Sequence, residues 1–230
     1  MPPLVSIIIP VFNRPEVFER SLASALEQTY SNIEIIVVDD GSNPSITIEN
    51  KRVQLFHQAN KGAPAARNFG FSKSSGEYVI FWDADVMADS RMIEKMVVAL
   101  ENNPAASYAY SDFYFGKKKM PARPFDANCL RKVNFITTIS LIRREDFPGF
   151  DESIIKFQDW DLWLTMLQKN KTGVYVPEYL FLVERGGTMS TWLPSWAYCA
   201  PWKWLPGIWN TVKNYEKGKK IIIEKHGLSQ

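Results

Sequence analysis

The sequence predicts an α/β fold with a Rossmann-like, mostly parallel sheet flanked by helices. Apolar runs rich in β-branched residues, typical of strands that are covered on both faces, occur at residues 4–11, 33–38, 53–56 and 78–82. Segments with apolar residues at helical spacing lie between most of these runs, which is the alternation expected of βαβ units. The two patterns together favour parallel strands over a sandwich or a barrel.

Each predicted helix has a recognisable start or stop. Asn13 stands at the N-cap position of a helix over residues 13–28, and Pro15 lies near its first turn. Gly62 forms the turn that leads into the second helix. The third helix, over residues 89–104, ends before Pro104 because the residue that precedes a proline is disfavoured in helical conformation.

The pattern changes after Pro104. Residues 106–115, 133–144 and 174–184 are predicted strands, and residues 159–170 are predicted to form a helix with tryptophans on one face. We therefore expect one domain over residues 1–190, made of a Rossmann-like half (1–105) and a mixed half (106–190), followed by an extension (191–230).

Length, composition and charge exclude several classes of protein. The 230 residues are 46% hydrophobic and 23% charged, which is enough apolar material for a sizeable core. A net charge of +2 without a long basic run gives no reason to expect a nucleic-acid partner. Cys129 and Cys199 do not form a disulfide framework, and no apolar window approaches the ~20 residues that cross a bilayer. We expect a cytoplasmic protein, soluble or peripheral to the membrane.

The extension holds five of the eight tryptophans, together with several lysines. Two roles remain open for it. The tryptophans pack against the domain or a second subunit of a homo-oligomer, or residues 190–220 contact a membrane surface, where tryptophan is favoured and lysine meets anionic headgroups. The prolines at 194, 201 and 206 favour short pieces over one long helix.

Polar or aromatic residues follow all four predicted parallel strands. They are Phe12, Asn13 and Arg14 after the first, Asp39 and Asp40 after the second, Asn60, Lys61 and Gly62 with the later Arg67 after the third, and Asp83 and Asp85 after the fourth. Because ligands bind beyond the carboxyl ends of parallel strands, we expect these residues to meet in one crevice.

The acidic pair in "GEYVIFWDADV" needs a positive partner, since it directly follows an apolar strand and a buried unpaired carboxylate is costly. An arginine, a lysine or a metal ion would serve. Mg²⁺ and Mn²⁺ commonly use one or two carboxylates together with substrate phosphate oxygens. A cation–diphosphate site over Asp83 and Asp85 is therefore predicted.

Five segments carry a resemblance to a known family: "VSIIIPVFNR", "IEIIVVDDGS", "NKGAPAARNFG", "GEYVIFWDADV" and "FQDWDLWL". In this order and spacing, over about residues 4–190, the chain resembles the inverting glycosyltransferases of family 2, which have the GT-A fold. The resemblance implies a nucleotide-sugar donor and a catalytic Mn²⁺ or Mg²⁺ ion, and it makes residues 1–105 the nucleotide-binding half and 106–190 the acceptor half.

The resemblance also implies roles for individual residues. Phe12 would stack on the donor base, Asp40 would accept a hydrogen bond from it, Arg67 would face the diphosphate and Asp85 would hold the metal with Asp83 nearby. A carboxylate acceptor suits uracil, thymine or guanine and not adenine. Further donor-site residues are Pro10, Val11, Arg14, Asn60, Lys61, Gly62 and Ala84.

Asp159 matches the family's catalytic base. Gln158 stands where a glutamate is common, and the loss of that negative charge should make Asp159 easier to ionise. Asp161 is the rival, although its position two residues later on a helix turns it away from the same crevice. Arg185 takes the position of a frequent histidine, and it would clamp the diphosphate instead of binding the metal.

We therefore expect an inverting glycosyltransferase that uses a UDP-sugar, or else a dTDP- or GDP-sugar, and a glycan or lipid-linked acceptor. Two alternatives stay open. A non-catalytic nucleotide-sugar or glycan-binding module would keep the fold and lose turnover. A sugar-1-phosphate nucleotidyltransferase fits less well, because "PVFNRPEVF" has no glycine after the first strand.

Overall fold

The computed structural model describes residues 2–184 and 209–228. The elements follow one another as β1 (Val5–Val11), α1 (Pro15–Leu26), β2 (Ile33–Asp39), β3 (Val53–His57), α2 (Ala63–Lys73), β4 (Tyr78–Phe81), β5 (Val86–Ala88), α3 (Met92–Glu101), β6 (Tyr108–Phe115), β7 (Lys118–Met120), α4 (Ala127–Leu130), β8 (Leu141–Arg143), α5 (Gln158–Gln168), β9 (Gly173–Val183) and α6 (Trp209–His226). The alternation of strands and helices up to α3 confirms the predicted α/β class.

The strands of the described residues form a single sheet in the order β3-β2-β1-β4-β8-β6-β9-β5, with β7 paired to β6 outside this path. Strands β3, β2, β1 and β4 are parallel. Strand β8 is antiparallel to both β4 and β6, and β9 is parallel to β6. Strands β6 and β9 therefore point the same way as the first four, and their carboxyl ends lie at the same edge of the sheet.

Pro10 ends the pairing between β1 and β4. The carbonyl of Ile8 accepts from Trp82 N, whereas the carbonyl of Val11 accepts from Asp40 N. The backbone N–H and C=O groups of even-numbered β1 residues thus point toward β4. Pro10 is the next such residue after the last paired residues, Ile8 and Phe81. Because proline has no N–H to continue the ladder, the chain after β4 diverges from β1 and opens the crevice in which the acidic pair lies.

Both faces of the sheet are covered. Odd-numbered residues of β1 pack with α1 and α3 on one face, while Ile8 belongs to the cluster formed with α5 and α6 on the other. A Cβ at Gly70 in α2 would lie 2.5 Å from Ile8 Cγ2, so a glycine is required where α2 crosses β1. The core therefore fixes α2 and α5, which carry site residues, against the same strands.

The predicted strand at 133–144 is much shorter than expected. Only Leu141–Arg143 is a strand, and residues 133–140 form no strand. There Ile136 O accepts from Trp163 Nε1 over 2.9 Å, and Thr138 Oγ1 donates to Asp83 over 3.2 Å. These contacts replace ladder pairing, which is why the apolar pattern alone was misleading.

The described part of the C-terminal extension is one helix, α6, which begins after the last of the three prolines. Val212 and Ile222 are buried, and the Tyr215 ring lies 5.0 Å from that of Phe157, just before α5. Residues 209–228 therefore pack on the domain rather than forming separate short pieces. In residues 2–184 and 209–228, no helix has both the length and the apolar character needed to span a membrane.

Other predictions involve residues 185–208 in whole or in part. Arg185 and four of the five tryptophans, at 192, 196, 202 and 204, lie outside the described residues. The clamp role of Arg185 and the membrane contact through 190–220 stay predictions.

Candidate active site

Asp83 has the positive partner that its position requires, and that partner is Arg67. Arg67 Nη2 donates to Asp83 Oδ1 over 2.6 Å, and Thr138 Oγ1 donates to Asp83 Oδ2. The backbone carbonyl of Asp83 accepts from Ser21 Oγ over 3.1 Å. Both carboxylate oxygens and the main chain of Asp83 are thus held, by three different parts of the chain.

Asp85 has a separate partner. Arg14 Nη1 donates to Asp85 Oδ2 over 3.0 Å, and the Asp85 side chain is only 13% exposed. Burial raises the pKa of Asp85, repulsion from Asp83 raises it further, and Arg14 opposes both effects. A second positive charge at this place would favour the ionised form of Asp85.

The acidic pair fits a hard divalent cation only in a site where further ligands come from the substrate. In the described ranges, no group of three or more His, Cys, Asp or Glu side chains could enclose a metal ion. Two carboxylates that repel each other, with substrate phosphates as further ligands, match the way Mg²⁺ is usually bound. Asp83 and Asp85 therefore fit an ion that is completed by substrate, and Arg14 would have to share Asp85 with it.

Arg67 connects the acidic pair to α5. It is 2% exposed, and its Nη1 donates to Gln158 Oε1 over 2.7 Å while its guanidinium lies 5.2 Å from the centre of the Phe150 ring. Its Nε is buried, and it has no hydrogen-bond partner among the residues that the structure describes. The predicted contact of Arg67 with a diphosphate is untested, whereas its bonds to Asp83 and Gln158 are a feature of the fold.

Asp159 lies in the first turn of α5, next to Gln158. Its Oδ1 accepts from Trp160 N over 2.8 Å. Burial raises the pKa of Asp159 to about 6, although the Trp160 bond and the charge of Arg67 lower it, and Asp83 adds a small further increase. The loss of a glutamate at 158 removes one charge, but burial is the larger effect here.

Asp161, the rival for the role of base, belongs to a different contact. It is 4% exposed, and it forms an ion pair with Lys225 over 2.8 Å and a hydrogen bond with His226 Nε2 over 2.7 Å. Both partners lie on α6. The two acids of α5 therefore face different surroundings: Asp159 the Arg67–Asp83 pair, and Asp161 the C-terminal helix.

Asp40, which follows β2, connects the end of that strand to the loop before α2. It is 3% exposed, and its Oδ1 accepts from Gln58 Nε2 and Lys61 N while its Oδ2 accepts from Gly62 N over 2.8 Å. Gly41 has φ +81, and a Cβ there would lie 2.8 Å from Asn60 N, so only glycine allows this approach.

The remaining predicted donor-site residues surround this loop and the end of β1. Phe12 is 45% exposed, whereas Val11 is buried and Pro10 and Ala84 are partly buried. Asp39 serves the fold: burial raises its pKa, but hydrogen bonds from Ser42, Ile46 and His57 outweigh burial and lower it. An exposed ring beside an anchored loop is compatible with base stacking, which stays a prediction.

Three residues of the site had no signal that we recognised in the sequence. Thr138 lies in a segment predicted as strand, and Ser21 lies on the apolar face of α1, where its Oγ accepts from Trp82 Nε1 and donates to Asp83 O. Gln58, which donates to Asp40, follows a strand end and could have been found by extending that reasoning by one residue.

The family is decided by comparison with known proteins. The sequence model described as "Glycosyl transferase family 2" matches residues 6–153. The chain belongs to glycosyl transferase family 2. This confirms the family that the segments indicated, although the fifth segment, at residues 157–164, lies beyond the matched range.

Two relatives of this family 2 chain differ in how much of their own length it matches. An uncharacterized glycosyltransferase of Haemophilus influenzae is 31% identical over 97% of this chain and 92% of its own length. One of Rickettsia bellii is 33% identical over 74% of this chain, but the match spans only 27% of that protein. The chain thus corresponds to nearly all of one relative and to about a quarter of the other.

Solved structures support the fold. TarS 1–349 from S. aureus, in complex with UDP-GlcNAc, matches 84% of this chain and 62% of its own with a TM-score of 0.66 and 15% identity. The mannosyltransferase PcManGT from Pyrobaculum calidifontis, in complex with GDP-Man and Mn²⁺, matches 80% of this chain and 57% of its own with a TM-score of 0.59 and 19% identity. The family 2 chain therefore has the predicted GT-A fold.

Proposed function

We propose that this family 2 chain is a metal-dependent, inverting glycosyltransferase. It moves a sugar from a nucleoside-diphosphate sugar, UDP first and dTDP or GDP next, to a hydroxyl of a glycan or lipid-linked acceptor. The observation that carries the proposal is Asp159, whose pKa is raised to about 6 and which lies on the helix that Arg67 ties to the acidic pair through Gln158. TarS with UDP-GlcNAc and PcManGT with GDP-Man and Mn²⁺ support this class of donor.

Asp159 acts as the general base. A group with a pKa of about 6 is mostly ionised at neutral pH and still accepts a proton well, which is the best compromise for a base. It removes the proton of the acceptor hydroxyl as that oxygen attacks the anomeric carbon opposite the leaving group. One displacement inverts the centre, so no covalent enzyme intermediate is needed.

Asp85 and Asp83 would hold Mn²⁺ or Mg²⁺ together with the donor diphosphate. When bound, such an ion supplies Lewis-acid stabilisation of the departing nucleoside diphosphate. Arg14 lies on Asp85 Oδ2 and adds positive charge at the same place. Arg67 is a positioning residue, because its two Nη atoms bond Asp83 and Gln158 and so fix α5 relative to the acidic pair.

Asp40 retains the capacity to bind the donor base. A carboxylate oxygen accepts two hydrogen bonds, and within residues 2–184 and 209–228 Asp40 Oδ2 accepts one, from Gly62 N. The imide N–H of uracil or thymine, or the N–H edge of guanine, would complete it. The exposed Phe12 ring would stack on the same base.

The test is release of nucleoside diphosphate from a panel of nucleotide sugars by the purified protein, with and without Mn²⁺. We expect metal-dependent release that is lost in Asp159→Asn while UDP still binds. Binding of UDP without release by the wild-type protein, in the presence of every acceptor tried, would instead support the non-catalytic module. Uridylyl transfer to a sugar 1-phosphate would support the nucleotidyltransferase.

A further inference from the structure

Positive charge is concentrated in one short segment of the acceptor half. Residues 117–132, here named the basic segment, contain six of the 27 Lys and Arg residues and one of the 25 acidic residues, which leaves 21 basic and 24 acidic residues elsewhere. The six cations are Lys117, Lys118, Lys119, Arg123, Arg131 and Lys132, and all are exposed. The basic segment is therefore strongly cationic on a chain that is otherwise slightly acidic.

The fold brings the basic segment to the active-site edge of the sheet. Strand β6 runs in the same direction as β4, so the hairpin between β6 and β7, where the segment begins, extends from the carboxyl edge. A few residues after the segment ends, Thr138 contacts Asp83. The segment thus lies in the stretch of chain that leads from this edge to the acidic pair.

The basic segment is also attached to the helix that carries Asp159. Trp160 Nε1 donates to Leu130 O over 2.7 Å, and Trp163 Nε1 donates to Ile136 O over 2.9 Å. Both bonds are buried. The C-terminal end of the basic segment and the residues that follow it are therefore anchored to the helix that carries Asp159.

The backbone of the segment is ordered by further contacts. Ala122 N donates to Asp112 Oδ1, and Arg123 O accepts from Tyr110 OH, each over 2.7 Å. The segment's acid, Asp126, accepts from the amides of residues 128 and 129 at the start of α4. Asp126 therefore serves a helix terminus, and the basic segment contains no other acidic residue.

We infer that the acceptor of this enzyme carries phosphate groups, which the basic segment binds while Asp159 activates the hydroxyl. The inference rests on the proposed function and extends it to the class of acceptor. Clustered exposed cations at a fixed place concentrate an anionic ligand and steer it to the site. A lipid-linked sugar diphosphate and a soluble phosphorylated glycan share this chemistry, and the experiment distinguishes the two sources.

The experiment measures binding of three probes to the full chain with UDP and Mn²⁺ present, so that the donor site is filled. The probes are geranyl diphosphate, vesicles that contain phosphatidylglycerol, and vesicles of phosphatidylcholine alone. The test variant is Lys117→Gln/Lys119→Gln/Arg123→Gln/Lys132→Gln. The matched control removes four exposed cations that lie outside the basic segment, as Lys51→Gln/Arg52→Gln/Arg91→Gln/Lys169→Gln. Unchanged affinity for UDP and an unchanged melting temperature report that a variant is folded.

The wild-type protein and the control should bind an anionic probe, and the test variant should bind it at least about tenfold more weakly. Binding of geranyl diphosphate indicates a phosphate recognised in solution, and binding of phosphatidylglycerol vesicles alone indicates phosphate at a bilayer. Equal losses in both variants, no loss in the test variant, or no binding of either anionic probe by the wild-type protein overturns the inference. Nucleotide release by the wild-type protein separates this failure from that of the proposed function.

Discussion

Arg67 and Gln158 are joined by a buried hydrogen bond of 2.7 Å between Nη1 and Oε1. The same guanidinium bonds Asp83 through Nη2, so one side chain of α2 connects the end of β4 to the start of α5. Because its second partner is an uncharged amide, the positive charge of Arg67 is balanced by one carboxylate and acts on Asp159 as well.

The first prediction concerns this balance. Gln158→Glu gives Arg67 a second carboxylate and adds a negative charge beside Asp159, so the pKa of Asp159 should rise. The acidic limb of the pH profile of kcat/KM, which requires the ionised base, should shift to higher pH by about 0.5–1 pH unit. Gln168→Glu adds the same charge at an exposed position near the end of α5, and it should leave the limb in place. A limb that moves down in Gln158→Glu contradicts the arrangement.

A second prediction concerns the cation. Asp85→Ala should abolish Mn²⁺-dependent binding of UDP and turnover, because it removes one of the two carboxylates proposed to hold the ion, while the fold persists. Calorimetric titration of UDP with and without Mn²⁺ measures this. Asp89→Ala removes an exposed acid a few residues further along and serves as the control. Transfer at near wild-type rates by Asp85→Ala would show that the metal assignment is wrong.

The parallel half of the fold and the group of polar residues at its carboxyl edge were predictable because both follow local rules. Apolar runs predicted the positions of β1, β2, β3 and β4. Because ligands bind beyond the carboxyl ends of parallel strands, Arg14, Arg67, Asp83 and Asp85 were then expected at one edge of the sheet. What the sequence left open was which acid meets which base. Arg14 on Asp85 and Arg67 on Asp83 depend on the divergence after Pro10, which is a matter of three-dimensional pairing.

The mixed half was harder to predict because part of its backbone bonds to side chains instead of to neighbouring strands. Residues 133–140 are rich in apolar and β-branched side chains. However, Trp163 Nε1 donates a hydrogen bond to one of their carbonyls, and Thr138 contacts Asp83. The helix α6 was missed because its amphipathic pattern is weak. It is held by Lys225 and His226, whose partner Asp161 is distant in sequence.

A third prediction concerns the effect of Asp159, the proposed general base, on the stability of the fold. The pKa of Asp159 is raised from 3.8 to about 6 in the folded protein, so folding favours its protonated form. The wild-type protein therefore loses stability as the pH rises through about 6, and this contribution is fully present only below the unfolded pKa. Asp159→Asn should be more stable than wild type by about 1–3 kcal/mol near pH 8, and the difference should fade toward about pH 4. Chemical denaturation across this range tests it, and a less stable Asn variant at pH 8 contradicts it.

A fourth prediction concerns the contact between α5 and α6. His226→Phe keeps an aromatic ring and removes one of the two partners of Asp161 Oδ1, the other being Lys225 Nζ, so a buried carboxylate loses a hydrogen bond. The free energy of unfolding should fall by about 1–3 kcal/mol. Lys220→Ala, which breaks an exposed pair with Glu224, should cost no more than about 0.5 kcal/mol. Equal effects of the two substitutions would mean that the α5–α6 contact adds no particular stability.

The most direct test of the account compares kcat in Asp159→Asn and Asp161→Asn, two substitutions of the same chemistry two residues apart on α5. Asp159→Asn keeps the shape and removes the proton acceptor, so kcat should fall by roughly 10²–10⁴ with UDP binding nearly unchanged. Asp161→Asn breaks the pairs with α6 and lowers stability, but the protein that remains folded should turn over at close to the wild-type rate. A mild effect of Asp159→Asn beside a loss of that size in Asp161→Asn would contradict Asp159 as the general base.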